Sequence, residues 1–236
     1  MKRPVWHPNK LVRAPILCYV TDRRALACVD EDQIESLLRR VASAAAAGID
    51  WIQIREKDLS GKGLSSLART AVAQTKQMNE HGGPASRILV NERVDVALSE
   101  RTGGVHLGEN SLPAQNVRKW LDGRPDLVPR EKFLVGVSCH SLKAAVATAR
   151  DGADYIFFGP VFATPSKAAF GAPQGLKRLD EVCSSVKIPV LAIGGITRDN
   201  ASDCMAAGAA GMAAIRLFQD AENLASLVSH LRGSPR

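Results

Sequence analysis

The sequence predicts an α/β protein made of one closed barrel, eight β-strands each followed by an α-helix, and three observations predict it. Short apolar or β-branched runs alternate with longer amphipathic stretches from residue 16 to residue 231, the pattern of right-handed βαβ units laid into a parallel sheet. Eight such units fit within 236 residues, the count and size at which that sheet closes into a (β/α)8, or TIM, barrel. The chain also lacks the strand–GxGxxG–helix opening that an open, doubly wound dinucleotide fold would carry.

The first strand covers 16–20 and exits at Thr21-Asp22-Arg23. A helix over 32–47 follows: Asp30 or Asp32 caps it, Leu37, Leu38, Val41 and Ala44 share its apolar face, and Gly48 closes it. Strand 50–54 exits at Arg55-Glu56-Lys57-Asp58, and helix 62–79 runs to the breaker His81-Gly82-Gly83-Pro84. Strand 87–90 exits at Asn91-Glu92 before a short helix over 94–99. Strand 104–107 exits at Gly108-Glu109-Asn110-Ser111, and helix 113–121 carries proline in its first turn. Strand 133–137 exits at Ser138-Cys139-His140 into helix 142–151. Strand 155–158 is entirely apolar, as burial on both faces demands, and stops at Gly159-Pro160. Helix 176–186, strand 189–193 with its exit Gly194-Gly195-Ile196-Thr197, helix 199–207, strand 211–215 and helix 221–231 complete the set. Residues 1–14 read as a flexible basic arm and residues 15–236 as the barrel.

Composition narrows the function. No apolar run is long enough to span a bilayer, and the basic N-terminus lacks the apolar segment of a secretory signal. Cys18, Cys28, Cys139, Cys183 and Cys204 are odd in number and form no CxxC pair, which predicts reduced thiols and a cytoplasmic protein. The net charge of +7 is dispersed and only 5% of residues are aromatic. That is no footprint for nucleic acid, whereas a basic balance suits anionic small substrates. A homo-oligomer is compatible with the sequence.

Active sites of such barrels form at the C-terminal ends of the strands. Nearly every predicted exit carries a polar group: Asp22, Arg55 and Lys57, Asn91 and Glu92, Glu109 and Ser111, Ser138 and His140, Thr164, Ser166 and Lys167, Gly194 and Gly195, and Arg216. The loop after strand 155–158 places two hydroxyls and an ammonium within four residues, a composition that suits a phosphate or diphosphate, and its length suits a lid. Gly194-Gly195 and Ile215-Arg216 suit a phosphate cup. Arg55 and Lys57 beside Asn91-Glu92 suit a diphosphate with a divalent metal, or else an ion-pair network at the rim. His106 is either a residue of the mouth or a packed histidine. His140 either caps the next helix or does acid–base chemistry.

These motifs have a familiar order. Gln53-Ile54-Arg55-Glu56-Lys57, Val90-Asn91, Gly104-Val105-His106-Leu107-Gly108, Gly136-Val137-Ser138, Gly159-Pro160 with Thr164, Ser166 and Lys167, and Ile193-Gly194-Gly195-Ile196-Thr197 resemble the thiamine phosphate synthase and thiazole tautomerase superfamily, and more closely the synthases. The resemblance runs from the first strand through the last. It implies a transferase that couples hydroxymethylpyrimidine diphosphate with thiazole phosphate, giving thiamine phosphate and diphosphate by a dissociative substitution. It further implies that Gln53, Arg55, Lys57, Asn91 and Lys167 hold the pyrimidine diphosphate and that Ser138 contacts it. Thr164, Ser166, Gly195 and the backbone at Ile215-Arg216 would meet the thiazole phosphate.

Three positions depart from that pattern. Glu92 stands where the family has aspartate, Ser111 where it has the second metal-binding aspartate, and Arg216 where serine is common. Mg2+ is the expected metal, held by Glu92 with Glu109 replacing the acid missing at Ser111. The same losses are shared by the tautomerases, which use a histidine at the His140 position. A barrel that binds phosphate ligands without chemistry is the third reading.

Overall fold

The computed structural model describes residues 14–26, 32–164 and 172–233. Eight strands, β1 (Ile16–Val20), β2 (Trp51–Ile54), β3 (Arg87–Asn91), β4 (Gly104–Leu107), β5 (Leu134–Cys139), β6 (Tyr155–Phe158), β7 (Val190–Ile193) and β8 (Gly211–Ala214), close in sequence order into one parallel barrel. The seam is the β1–β8 pair, with Ile16 opposite Gly211 and Tyr19 opposite Ala214. Helices α1 (Gln33–Ala46), α2 (Gly61–Glu80), α3 (Val94–Ser99), α4 (Ala114–Asp122), α5 (Leu142–Arg150), α6 (Gly175–Ser185), α7 (Ala201–Ala206), α8 (Arg216–Gln219) and α9 (Leu224–Leu231) follow the strands. The expected (β/α)8 fold is therefore present.

The alternation along each strand divides the apolar residues into two cores. Cys18, Val20, Leu89, Tyr155, Phe157, Leu191 and Ala213 fill the barrel. Leu17, Ile52, Ile88, Ile156 and Phe158 face outward and pack with helix residues such as Leu37, Val41 and Leu179. Both faces are buried, which is why the strands read as unbroken apolar runs rather than alternating ones. Inside the barrel, Tyr155 lies opposite Gly136. A Cβ at Gly136 would sit 2.0 Å from the Tyr155 ring, so only glycine leaves room for that phenol.

The N-terminal end of the barrel is tied by acids that cap neighbouring strands. Asp50 accepts from the Leu17 N–H at 2.8 Å and pairs with Arg232 at 3.0 Å. Asp154 accepts from the Val135 N–H at 2.7 Å and pairs with the buried Arg118. Conserving backbone hydrogen bonds at that end leaves the C-terminal end to carry the polar groups of function.

Several boundaries differ from the sequence reading. β5 runs on to Cys139, so Ser138 is a strand residue rather than an exit residue. Asp32 is the N-cap of α1, accepting from the Ile34 N–H at 2.8 Å. α8 was not expected; four residues are too few for a periodicity signal. Its Gln219 is tied to β1: the Tyr19 hydroxyl donates to Gln219 Oε1 at 2.9 Å, and Gln219 Nε2 donates to the Asp22 carbonyl at 3.0 Å. The predicted arm and Cys28 lie outside the described residues, apart from Ala14. Among the described residues no helix is long and apolar enough to cross a membrane.

Candidate active site

Strand register places the polar residues side by side around the C-terminal mouth. Gln53 of β2 donates through Nε2 to Asn91 Oδ1 of β3 at 2.9 Å. Asn91 is register-paired with His106 of β4. His106 in turn meets Ser138 Oγ of β5 through Nε2 at 2.9 Å and the Tyr155 hydroxyl of β6 through Nδ1 at 3.1 Å. Two hydrogen-bonded groups, Gln53–Asn91 and Tyr155–His106–Ser138, thus lie side by side and make a polar belt across five successive strands.

Of its two expected readings, His106 fits the packed histidine: it is buried among neighbours inside the barrel. Its ring lies on Phe157, with centroids 4.1 Å apart and planes 30° apart. Burial, helped by the nearby Arg55 guanidinium, pushes its pKa down to about 3. The imidazole is therefore held in its neutral form in the physiological range.

At the β2 exit, Glu56 is buried, between the exit residues Arg55 and Lys57 in the chain. It accepts from the Thr21 hydroxyl at 2.6 Å and from Arg23 Nη1 at 3.0 Å. Thr21 Oγ1 then accepts from the Arg55 N–H at 3.0 Å, which fixes the backbone where Arg55 leaves the strand. Arg23 continues to Asp58 and holds that carboxyl well below the usual carboxylate range. The rim ion-pair network thus exists, but it is built by Arg23, Glu56 and Asp58. Lys57 is exposed and has no ion pair with a described residue.

Of the three expected metal residues, Glu92 and Ser111 meet, while Glu109 points elsewhere. Glu92 adopts a left-handed backbone at φ 62°. Its Oε1 accepts from the Ser111 hydroxyl at 2.8 Å, and Ser111 Oγ accepts from the Gly108 N–H at 3.1 Å. Glu109 turns toward His140, with 3.9 Å between Oε2 and Nε2. Among the described residues no three His, Cys, Asp or Glu side chains are grouped to cage a metal.

His140 does not cap α5. Ser141 does, accepting from the Ala144 N–H at 3.1 Å, because its hydroxyl sits at the N-cap position where an oxygen reaches the free amides. His140 donates instead from Nδ1 to the Gly159 carbonyl, which directs Nε2 toward Glu109.

The β6 exit is stapled onto β7. Val161 N–H donates to the Ile193 carbonyl at 2.9 Å and Phe162 N–H to the Gly194 carbonyl at 3.0 Å. The chain returns at Gln174 and Gly175, whose N–H groups donate to the Pro160 and Val161 carbonyls at 2.7 and 3.0 Å. Gly195, at φ 67°, has the loop so close that a Cβ would lie 2.6 Å from the Ala163 carbonyl oxygen. The two glycines are therefore needed for loop packing as well as for any anion. Thr164 is half-buried at the end of this stapled stretch, while Ser166 and Lys167 lie outside the described residues. Arg216 is exposed at the start of α8 and lines a cavity of about 410 Å³ with Arg198, Asp220 and Glu222. Ile215 is its N-cap residue.

Sequence reasoning missed Thr21, Glu56 and Tyr155. The signal for Tyr155 was a glycine at the facing register position; no local signal marks the other two, whose roles depend on β1 lying beside β2.

Comparison with known proteins bears on this site. The thiamine monophosphate synthase family model matches residues 18–218. A putative thiamine-phosphate synthase of Geobacter sulfurreducens is 44% identical over 180 residues, covering 76% of this chain and 78% of its own. A thiamine-phosphate synthase of Methanoculleus marisnigri is 42% identical over 172 residues, covering 73% and 75%. The solved thiamine phosphate pyrophosphorylase from Pyrococcus furiosus superposes with a TM-score of 0.73 at 30% identity, over 92% of this chain and 94% of that one.

Proposed function

The chain belongs to the thiamine monophosphate synthase family, and on that premise we propose how its mouth carries out the synthase reaction. It is a transferase, a thiamine-phosphate diphosphorylase. In the reaction we assign, the pyrimidine C–O bond breaks with its electron pair leaving on diphosphate. The resulting pyrimidine carbocation is captured by the thiazole nitrogen lone pair. Charge on the departing diphosphate is the principal load, so the site needs preorganised donors more than a nucleophile or a base.

The belt supports this reading. Gln53 and Asn91 fix one another, Arg55 is set by Thr21, and Lys57 is an available point charge at the same exit. With Ser138 and Lys167 they form the assigned diphosphate subsite. Thr164, Ser166, Gly194, Gly195 and the Ile215-Arg216 backbone form the assigned thiazole phosphate subsite. The observation that carries the reading is the buried His106 of that belt, stacked on Phe157 and holding Ser138 Oγ at 2.9 Å from its Nε2.

For Mg2+, we assign a one- or two-carboxylate site to be completed by substrate phosphate oxygens, the free oxygen of Glu92 being the observation that supports it. Glu92 would hold it through the oxygen not engaged by Ser111, with Glu109 as second acid. When bound, the ion would neutralise charge on the diphosphate. A cytoplasmic setting fits the four described cysteines, all buried and free.

The test incubates purified protein with both substrates, with and without Mg2+, and measures thiamine phosphate. Synthesis that rises with Mg2+ and falls strongly in Glu92→Gln is expected. Metal-independent tautomerisation of a thiazole carboxylate phosphate, surviving Glu92→Gln and lost in His140→Ala, would replace the synthase reading.

A further inference from the structure

Among the described residues of the barrel interior, the Tyr155 hydroxyl is a polar group that the reaction as described does not use. Tyr155 is fully buried, with its ring against Trp51 at 4.7 Å and Phe157 at 5.3 Å between centroids. Its hydroxyl meets one described partner, His106 Nδ1, at 3.1 Å. On the other side of the imidazole, Nε2 meets Ser138 Oγ at 2.9 Å. A neutral imidazole has one N–H, so two arrangements of protons fit these distances.

If Nδ1 carried the proton, Tyr155 would accept it, and the phenolic O–H would be a buried donor with no acceptor among the described residues. Leaving such a group unpaired costs on the order of 1–3 kcal/mol. Ser138 would then have to donate to Nε2, which spends the serine proton inside the protein. If Nε2 carries the proton, both buried donors are used: Tyr155 donates to Nδ1 and Nε2–H donates to Ser138 Oγ, which leaves the proton of the partly buried serine free for a ligand. Burial raises the Tyr155 pKa well above its usual value, so the phenol keeps its proton. The Gly136 position, where any side chain would collide with this ring, leaves Tyr155 the room to reach His106.

We propose that Tyr155 is a positioning residue that fixes the His106 tautomer and thereby makes Ser138 a hydrogen-bond donor toward the diphosphate of the substrate. The inference rests on Ser138 contacting substrate, as assigned above, yet its first half concerns only the protein. It extends the site inward to the centre of the barrel. It also explains a phenol at a position that packing alone would fill with phenylalanine, as its neighbour Phe157 shows two residues on.

The tautomer is read directly in the full chain labelled with 15N-histidine, from long-range ring 15N–1H correlations, with His106→Gln identifying the signal. The expected wild-type pattern is the Nε2–H tautomer, and in Tyr155→Phe a mixture of tautomers. In the synthase assay Tyr155→Phe should lower kcat by roughly five- to tenfold, the worth of about one hydrogen bond, with KM for the thiazole phosphate little changed. In a His106→Gln background, where the amide N–H replaces Nε2–H, Tyr155→Phe should add little further loss; a merely structural tyrosine would cost the same in both backgrounds. A wild-type Nδ1–H tautomer overturns the proposal whether or not the variants fold. A single unchanged tautomer in Tyr155→Phe, or equal losses in both backgrounds, overturns it too. The Nε2–H pattern in a chain that makes no thiamine phosphate would instead remove the synthase reading and leave the tautomer assignment standing.

Discussion

Lowering the pH from 7 to 5 should destabilise the folded chain through His106 by about 2 kcal/mol. The imidazole is buried in the fold with its pKa depressed from 6.5 to about 3, chiefly by desolvation and secondarily by Arg55. Because the folded value lies below the unfolded one, the unfolded chain takes up a proton between those two values that the folded chain refuses. The contribution is therefore complete above pH 6.5, declines as the pH falls, and levels off only near pH 3. Each pH unit within the window is worth about 1.4 kcal/mol, and the stretch from 6.5 to 5 supplies the total. The assay is urea unfolding of the wild type and of His106→Asn at both pH values. Asparagine does not titrate, and every other ionisable group is common to the two proteins. His106→Asn should be the less stable at pH 7, since it loses the ring contact with Phe157 and the Ser138 and Tyr155 hydrogen bonds. At pH 5 the gap should narrow by about 2 kcal/mol. A gap of the same size at both pH values would refute the reasoning, because it would mean that His106 titrates alike in both states.

Gly136→Ala should cost about 1–3 kcal/mol by overpacking, since the new Cβ would start 2.0 Å from the Tyr155 ring; an unchanged melting temperature would contradict it. Glu56→Gln should cost about 2 kcal/mol, because an amide N–H replaces one of the oxygens that serve Thr21 and Arg23. It should also raise KM for the pyrimidine diphosphate through the Thr21 contact to the Arg55 N–H, and a urea midpoint and KM both equal to wild type would count against the network. Ser111→Asp should place a second acid beside Glu92, where the serine oxygen now sits 2.8 Å away. Turnover should then reach half its maximum at lower Mg2+ with its ceiling unchanged or raised, and a Mg2+ titration that does not move would show that Ser111 has no bearing on the metal.

The fold was legible because both faces of a closed parallel sheet are buried, so each strand announces itself as an apolar run and each helix as a one-sided pattern. Tyr155–Phe158 and the face of Leu37, Val41 and Ala44 are examples that the structure reproduces within a residue or two. What escaped was held by tertiary contact alone. α8 is four residues pinned by Gln219 to β1, and nothing local distinguishes it from loop. Much of the candidate site was legible for a related reason: polar residues at the ends of apolar strands have no structural need to be there, and Gln53, Asn91, His106 and Ser138 do assemble as neighbours.

Partnership, unlike placement, could not be read. Ser111 looked like the loss of a metal-binding acid, yet its hydroxyl donates to Glu92 and receives the Gly108 N–H, so it orients the carboxylate that remains. His140 looked like a cap or an acid, yet it is anchored on the Gly159 carbonyl and faces Glu109. In both cases the partner comes from the adjacent strand's exit or beyond, across 19 to 31 residues of chain. A closed barrel turns such distant exits into neighbours, so the type of residue at each exit is a sequence property and its chemistry is a property of the ring. The same logic makes Tyr155 intelligible. Its run marks a strand, its parity turns it inward, and only the ring order β4–β5–β6 reveals that its hydroxyl reaches across β5 to His106 and, through it, to Ser138.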